Sequence, residues 1–271
     1  MSKPNLKSKI FIGTSGFSYA HWRGVFYPEN LPQKDWFSYY VKNFNTVELN
    51  VSFYRLPRKE AFESWRKKAG DKFVFAVKGW RWITHIKKLK NCQEEVKRFF
   101  ETASAIDTPE VVLRPRHASG YNHSRCGRNV VLWQLPPSLK IDPSRLEDFC
   151  KALPQDFRYA FEFRHPSWGN EKTWKILRKH NAAVVFQDFP EWPIFKGITA
   201  DFVYLRFHGK TSLYSSCYTE KELKRWAEKI KNWQNQGLDV YGYFNNDALG
   251  YAVENAKTLE RLVQIRLIGP I

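Results

Sequence analysis

Residues 202–208 read Phe-Val-Tyr-Leu-Arg-Phe-His, a run that predicts a β-strand. Successive side chains of a strand point to opposite faces, so Tyr204, Arg206 and His208 share one face and three apolar residues share the other. Short runs of β-branched and aromatic residues bounded by Gly, Pro or Asn are typical of strands. Seven more such runs occur along the chain, and their number and spacing decide the fold.

The eight predicted strands alternate with amphipathic stretches that have helical periodicity. In chain order, the predicted strands are Ile10–Ser15, Thr46–Phe53, Phe73–Lys78, Val130–Leu135, Tyr159–Arg164, Ala183–Asp188, Phe202–His208 and Asp239–Asn245. The predicted helices are Lys34–Asn43, Lys59–Lys68, Cys92–Ala105, Pro143–Ala152, Glu171–His180, Glu220–Gln236 and Leu249–Val263. Only the connection Pro190–Asp201 lacks a helical pattern.

This alternation predicts an α/β fold, a single (β/α)₈ TIM-like barrel. Strands that alternate with helices pair in parallel through right-handed crossovers, and eight such units favour closure. An open doubly wound sheet is the alternative, but it would show Gly-x-Gly-x-x-Gly after its first strand, whereas residues 13–16 read Gly-Thr-Ser-Gly. The 271 residues match one barrel domain spanning 1–271. One segment within it is atypical, the basic stretch Asp107–Asn129.

Charge and cysteine usage limit the classes of function. A formal net charge of +17 favours polyanionic partners, so DNA or RNA is a candidate, although a solvated lysine-rich surface explains the charge equally well. The four cysteines lie far apart and form no Cys-x-x-Cys pair, which argues against a zinc ribbon. No stretch approaches 18 apolar residues, so we expect no membrane span and a cytoplasmic location.

Alternate residues of each barrel strand point inward, and this rule selects a polar set near the carboxyl ends of the strands, where barrel enzymes place their chemistry. The inward set comprises Glu48, Asn50, Ser52, Lys78, Gln134, Glu162, Arg164, Tyr204, Arg206, His208, Tyr241, Tyr243 and Asn245. A buried charge is costly unless it is paired, so these groups either form an ion-pair network or face a wet pocket. Pairing leaves one positive charge over, which favours an anionic ligand.

Further candidates follow the strand ends. His165, Asp188 and Asp247 lie just past the fifth, sixth and eighth strands, where a carboxylate can serve as a general base, a metal ligand or merely a helix cap. His85 follows the third strand, and a surface role is expected for it. The loop aromatics Trp22, Tyr54 and Trp168 are candidates for stacking on bases or sugars. In the basic stretch Asp107–Asn129, His117, His123 and Cys126 do not have a standard zinc spacing.

Several segments together resemble the YecE-like family (domain of unknown function 72). They are residues 13–28 (Gly-Thr-Ser-Gly-Phe-Ser-Tyr-Ala-His-Trp-Arg-Gly-Val-Phe-Tyr-Pro), 44–57, 75–78, 134–137, 161–168 (Phe-Glu-Phe-Arg-His-Pro-Ser-Trp), 205–209 and 243–247. The resemblance runs in order along nearly the whole chain except Asp107–Asn129. It implies a TIM-like barrel, similar in fold to endonuclease IV, and it implies no activity. Fewer ligands are present than a three-metal site needs, so we expect at most one divalent metal ion, with Glu48, Glu162, Asp188 and Asp247 as candidate ligands.

Three functions are consistent with these residues. In the first, the chain hydrolyses phosphodiesters in nucleic acid: Lys78, Arg164 and Arg206 hold phosphate, Glu48 or Glu162 activates water or binds the metal ion, and His208 or His165 serves as the acid. In the second, the chain is an enzyme on a small anionic or sugar phosphate substrate, with Glu48 and Glu162 as paired carboxylates. In the third, it is a non-catalytic barrel that binds nucleic acid.

Overall fold

The computed structural model describes residues 8–107, 128–189, 191–195 and 197–264, and eight parallel strands form its centre. The strands are β1 Ile10–Thr14, β2 Thr46–Leu49, β3 Val74–Lys78, β4 Val130–Gln134, β5 Arg158–Glu162, β6 Ala182–Gln187, β7 Phe202–Phe207 and β8 Asp239–Phe244. All pairings are parallel, and the order is β1-β8-β7-β6-β5-β4-β3-β2. All eight predicted strands are confirmed.

The sheet closes between its first and second strands. A parallel bridge joins Ser15 to Glu48, and the backbone N–H of Gly16 donates to the carbonyl of Glu48 at 2.7 Å. This contact completes an α/β TIM-like barrel, as predicted. The closure also places Ser15, Glu48 and the ends of the other strands around one rim.

Helices surround the strands. They are α1 Trp36–Tyr40, α2 Val51–Tyr54, α3 Lys59–Ala69, α4 Gln93–Ala103, α5 Pro143–Ala152, α6 Glu171–Lys179, α7 Glu220–Asn235 and α8 Tyr251–Gln264. The long helices agree with the predicted ones to within a few residues. The described residues between β6 and β7 contain no helix, as the sequence indicated.

Two layers of apolar side chains hold the barrel together. The larger lies between the strands and the helices and contains most of the buried tryptophans. The smaller fills the barrel interior with side chains from alternate strand positions: Phe11, Val74, Ala76, Val130, Leu132, Ala160, Ala183, Val185, Phe202, Tyr204, Tyr241 and Tyr243. The barrel is therefore packed rather than hollow, and a ligand has access only above this layer.

The second strand is shorter than predicted. It ends at Leu49, where Asn50 turns into a helical conformation and α2 begins, instead of continuing to Phe53. The hydroxyl of Ser52 donates to the carbonyl of Lys78 at 2.6 Å, which fixes α2 against the end of β3. Because the strand has ended, Ser52 does not share a strand face with Glu48, and Asn50 lies on the rim.

The atypical stretch Asp107–Asn129 lies mostly outside the described residues, and so do His117, His123 and Cys126. Its described ends meet: the Asn129 amide donates to the Asp107 carboxylate, and Asn129 Oδ1 accepts from the backbone N–H of Phe75 at 2.9 Å. Burial raises the pKa of Asp107 to about 6. Asp107 and Asn129 thus lie at the amino-terminal ends of the strands, away from the rim. None of the described helices is long and apolar enough to cross a membrane.

A substitution at Gly79, which directly follows β3, tests the packing between the strands and the helices. An added Cβ would lie 2.2 Å from Trp133 Cε3, and the Trp133 ring is fully buried. We expect Gly79→Ala to lower the free energy of unfolding by about 1–3 kcal/mol because of this overpacking. Denaturant titration checks it, with Gly197→Ala as the matched control, since an added Cβ there meets no atom within 4 Å. Equal stability of the two variants would contradict this account.

Candidate functional site

Arg206 lies at the centre of the barrel mouth, between two buried glutamates. One guanidinium nitrogen donates to Glu162 Oε2 at 2.6 Å and another to Glu48 Oε1 at 2.8 Å. All three side chains are at most 1% exposed. The contacts join β7 to β2 and β5 across the barrel, so the inward phase predicted for these residues is confirmed, and their charges are paired with one another.

Each glutamate has a further partner. Glu48 accepts hydrogen bonds from the Ser15 hydroxyl and from the Tyr204 hydroxyl, the latter at 2.7 Å. The Ser15 hydroxyl in turn accepts from the Asn50 amide at 2.8 Å. Glu162 forms a second ion pair, with Arg164. Burial alone would raise the pKa of Glu162, yet the Arg164 and Arg206 guanidinium groups hold it well below its ordinary value.

The Trp192 ring packs against the guanidinium group of Arg164. The guanidinium carbon lies 3.2 Å from the centroid of the Trp192 ring, and Arg164 Nε donates to Glu162 at 2.5 Å. The same ring meets His208 edge-on, at a centroid distance of 4.7 Å. Trp192 lies in the connection between β6 and β7, and its ring covers Arg164 and contacts His208.

Lys78 is the cation that remains after this pairing. Three cations and two carboxylates meet at the mouth, and within the described part of the chain both carboxylates are taken by arginines while Lys78 forms no salt bridge. Its ammonium lies 4.2 Å from the centroid of the Phe53 ring. Burial, followed by the positive charge of Arg206, lowers the pKa of Lys78 to about 7.

A cleft of about 730 Å³ opens above this cluster. Its polar lining residues are Ser18, Tyr19, Asn50, Tyr54, Lys78, Arg206, Tyr214, Asn245 and Asp247. Tyr54 is 71% exposed and forms part of the outer edge. Arg206 is buried in the floor, so Lys78 is the cation that a ligand in the cleft meets most directly.

His208 is a buried neutral imidazole beside the cluster. The Asn245 amide nitrogen donates to its Nδ1 at 3.1 Å, which leaves the ring proton on Nε2. That Nε2 is buried and has no hydrogen-bond partner among the residues that the structure describes. Burial and the neighbouring Arg206 charge hold the pKa of His208 well below its ordinary value. His208 is therefore a hydrogen-bond donor rather than an acid at neutral pH.

His85 lies closer to the site than the sequence suggested. Its ring packs edge-on against Phe53, with a centroid distance of 5.0 Å, and Phe53 in turn lies beneath Lys78. Burial, followed by the Lys78 charge, lowers the pKa of His85 to about 4. With Phe53, His85 forms part of the wall on one side of Lys78 and is partly buried, whereas a surface position was expected for it.

Three predicted substrate contacts lie elsewhere. Trp22 and Trp168 are buried and donate to the backbone carbonyls of Asp247 and Leu139, and Tyr243 is buried in the barrel interior against Thr46. They stabilise the fold because packing and hydrogen bonds use all of their surface. Among the loop aromatics proposed for stacking, Tyr54 reaches the cleft. Gln134 ends β4 opposite Glu162, as its phase predicted, but it does not belong to the lining of the cleft.

The predicted metal ligands do not assemble. No group of three or more His, Cys, Asp or Glu side chains in the described ranges could hold a metal ion. Glu48 and Glu162 are bound by arginines, and Asp188 accepts from the Trp226 indole at 3.2 Å. Asp247 lines the cleft edge and lies 3.7 Å from the His21 ring.

His165 serves the backbone rather than the cleft. Its Nδ1 accepts from the backbone N–H of Ser167 and caps the short turn Pro166–Trp168. This role is structural, and His165 has no contact with the charged cluster in the described structure.

Sequence reasoning missed two residues that shape the site, Ser15 and Trp192. The phase rule did place Tyr204 beside Arg206, but its hydroxyl was not identified as a partner of Glu48. Ser15 gave a weaker signal, as the polar end of the first strand. Trp192 lies in an irregular segment, where no periodicity predicts the direction of a side chain.

A family model described as "Protein of unknown function DUF72" matches residues 11–269, nearly the whole chain. The chain belongs to the DUF72 family. The resemblance to YecE-like proteins is thereby confirmed. The UPF0759 protein YunF of Bacillus subtilis is 26% identical, with 96% of each chain covered. The UPF0759 protein YecE of Escherichia coli K12 is 25% identical, covering 92% of this chain and 91% of its own.

Crystal structures of DUF72 proteins share the fold. One from Thermotoga maritima is 30% identical, with a TM-score of 0.79 over 95% of this chain and all of its own. One from Enterococcus faecalis is 18% identical, with a TM-score of 0.76 over 97% of this chain and 98% of its own, and it supports the fold alone. These comparisons establish a DUF72 barrel and supply no reaction.

The bridge through Arg206 is open to a direct test. Arg206→Met leaves two buried carboxylates short of a partner, so we expect a loss of about 3–5 kcal/mol in the free energy of unfolding at neutral pH. Adding Glu48→Gln and Glu162→Gln removes those charges and should restore part of the loss. The penalty should shrink as the pH falls toward about 4, because unpaired carboxylates can take up protons. Unfolding titrations at several pH values measure this, and an unchanged stability of Arg206→Met would refute the bridge.

Proposed function

We propose that this DUF72 barrel is an enzyme for a small anionic substrate, bound in the cleft above Lys78. One observation carries the proposal: the arginines and glutamates of the mouth pair with one another, while Lys78 faces the cleft without a carboxylate partner in the described structure. A carboxylate or phosphate group supplies the missing counter-ion.

The dimensions of the cleft fit this class of ligand. Its volume of about 730 Å³ is within the range typical of small-molecule sites. Neutral hydrogen-bonding groups accompany the lysine, among them Asn50, Tyr214 and Asn245. Lys78 with these amides and hydroxyls is suited to a small polar anion, and the carboxylate in the described lining, Asp247, lies at the cleft edge, 3.7 Å from the His21 ring.

The rival hypothesis of metal-assisted phosphodiester hydrolysis has less support from the geometry. Its two proposed bases, Glu48 and Glu162, are each bound by guanidinium groups and fully buried. A carboxylate held in this way is a poor base and a poor metal ligand, since its charge is already neutralised. The net charge of +17 remains the support for a nucleic-acid partner, and it does not point to the cleft.

Anion binding should depend on pH through Lys78. The protonated ammonium pairs with the anion, so affinity is greatest below the Lys78 pKa of about 7 and falls above it, by up to about tenfold per pH unit. Calorimetric titration with pyruvate and with citrate across about pH 6–9 measures this. The same titrations are made with inorganic phosphate and with a single-stranded DNA oligonucleotide.

Three variants sharpen the anion-binding test. Lys78→Met should lose at least about tenfold in affinity at pH 6, and Lys78→Arg should bind anions without the pH dependence, because a guanidinium stays charged. The matched control is Lys229→Met, since Lys229 lies 4.3 Å from the Trp226 ring but outside the cleft. If no small anion binds the wild type, or if Lys78→Met binds as well as Lys229→Met, the proposal fails.

The burial of Lys78 should also lower the free energy of unfolding of the wild type. The native state binds fewer protons than the unfolded state between pH 7 and the ordinary lysine value, so wild-type stability rises with pH across that window. We expect Lys78→Met to raise the free energy of unfolding at neutral pH by roughly 1–3 kcal/mol and to flatten that rise. Urea titrations at about pH 7 and pH 9.5 make the measurement, and a destabilised Lys78→Met would show that the lysine serves packing.

A further inference from the structure

We infer that Lys78 is a nucleophilic amine that forms an imine with its substrate, so the substrate class is a small aldehyde or ketone bearing a carboxylate or phosphate. The inference rests on the proposed function, because it uses the same cleft, and it narrows the ligand from any anion to an anionic carbonyl compound.

The geometry around Lys78 favours a reactive amine. The side chain extends from the carboxyl end of β3 into the cleft, where a substrate can reach Nζ. Phe53 covers one side of Nζ at 4.2 Å, and His85 packs behind that ring. The carboxylates that would otherwise hold Lys78 as an ammonium are bound by Arg164 and Arg206.

These surroundings determine the protonation state. An amine is nucleophilic when neutral, and an apolar wall together with a neighbouring cation is a known way to keep a lysine neutral. With a pKa lowered to about 7, a large share of Lys78 carries a lone pair at neutral pH. A solvent-exposed lysine under the same conditions is almost wholly protonated.

Imine formation needs no reagent beyond the carbonyl compound. The Nζ lone pair attacks the carbonyl carbon, the C–N bond forms, and the carbonyl π electrons move to oxygen, which takes up a proton as the nitrogen loses one. The carbinolamine then loses water as its C–O bond breaks. The products are one imine and one water for each amine and carbonyl consumed.

The cleft contains neutral donors for the oxygen in that step. The Asn50 and Asn245 amides and the Tyr214 hydroxyl line the cleft together with Lys78. A neutral donor of this kind stabilises the developing alkoxide by a hydrogen bond. Once protonated, the imine nitrogen carries a positive charge, which pairs with the carboxylate or phosphate of the substrate as the ammonium form of Lys78 does.

Reductive trapping tests the imine directly. The full chain is incubated at about pH 7 with pyruvate, glyoxylate, 2-oxoglutarate or dihydroxyacetone phosphate and sodium cyanoborohydride, and the secondary amine is mapped by peptide mass spectrometry. We expect at least one probe to modify Lys78 at least about tenfold faster than any other lysine. Mapping on the wild type does not depend on whether any variant folds.

Two variants separate this inference from the proposed function. Lys78→Arg keeps a cation but offers no amine, so it should bind the anionic probe while the adduct at position 78 disappears. Lys229→Met should label at Lys78 as the wild type does. If pyruvate binds the wild type but labelling is spread evenly over the lysines, or if no probe labels Lys78, the imine is overturned and anion binding stands. If no anion binds at all, the proposed function falls with it.

Discussion

The ion pairs of Arg206 with Glu48 and Glu162 determine the character of the whole barrel mouth. They join three strands above an interior layer of packed aromatic and aliphatic side chains. Three fully buried charges of this kind contribute little net stability, since desolvation offsets most of their attraction. An apolar set of similar volume could close the barrel equally well. The arrangement is better explained by what it does to the groups around it.

Its main consequence is the state of Lys78. Because the arginines occupy both carboxylates, the lysine is left beside Arg206 with an aromatic ring as its nearest described partner. The ion pairs therefore affect Lys78 in two ways. They occupy the carboxylates that could pair with its ammonium, and they hold the positive charge of Arg206 nearby. The first effect would be lost if Lys78 had paired with one of the glutamates.

The sequence predicted these charges well because strand alternation is a strict geometric rule. Once eight strands were recognised, the phase alone placed Lys78, Glu162 and Arg206 in the barrel mouth, and counting charges indicated one cation in excess. The rule failed where the strand stopped, as at Asn50, since nothing in the residue types of 46–53 marked the turn into α2. It also gave no direction for Asp188, which faces Trp226, or for Trp192, which covers Arg164. Loop side chains are positioned by tertiary contacts, and local periodicity contains no information about those.

Lys78 and Arg206 have different roles at the barrel mouth, and the chemistry of the two side chains explains the difference. A guanidinium is charged at any physiological pH and offers a planar fork, which suits Arg206 for holding two carboxylates at once. An amine can lose its proton when its surroundings disfavour charge, which suits Lys78 for a role in which charge must change. Exchanging the two residues would leave a titratable group among the glutamates and a permanent cation in the cleft. The observed placement makes the fixed charges structural and the variable one accessible to a ligand, an arrangement that serves chemistry better than it serves binding alone.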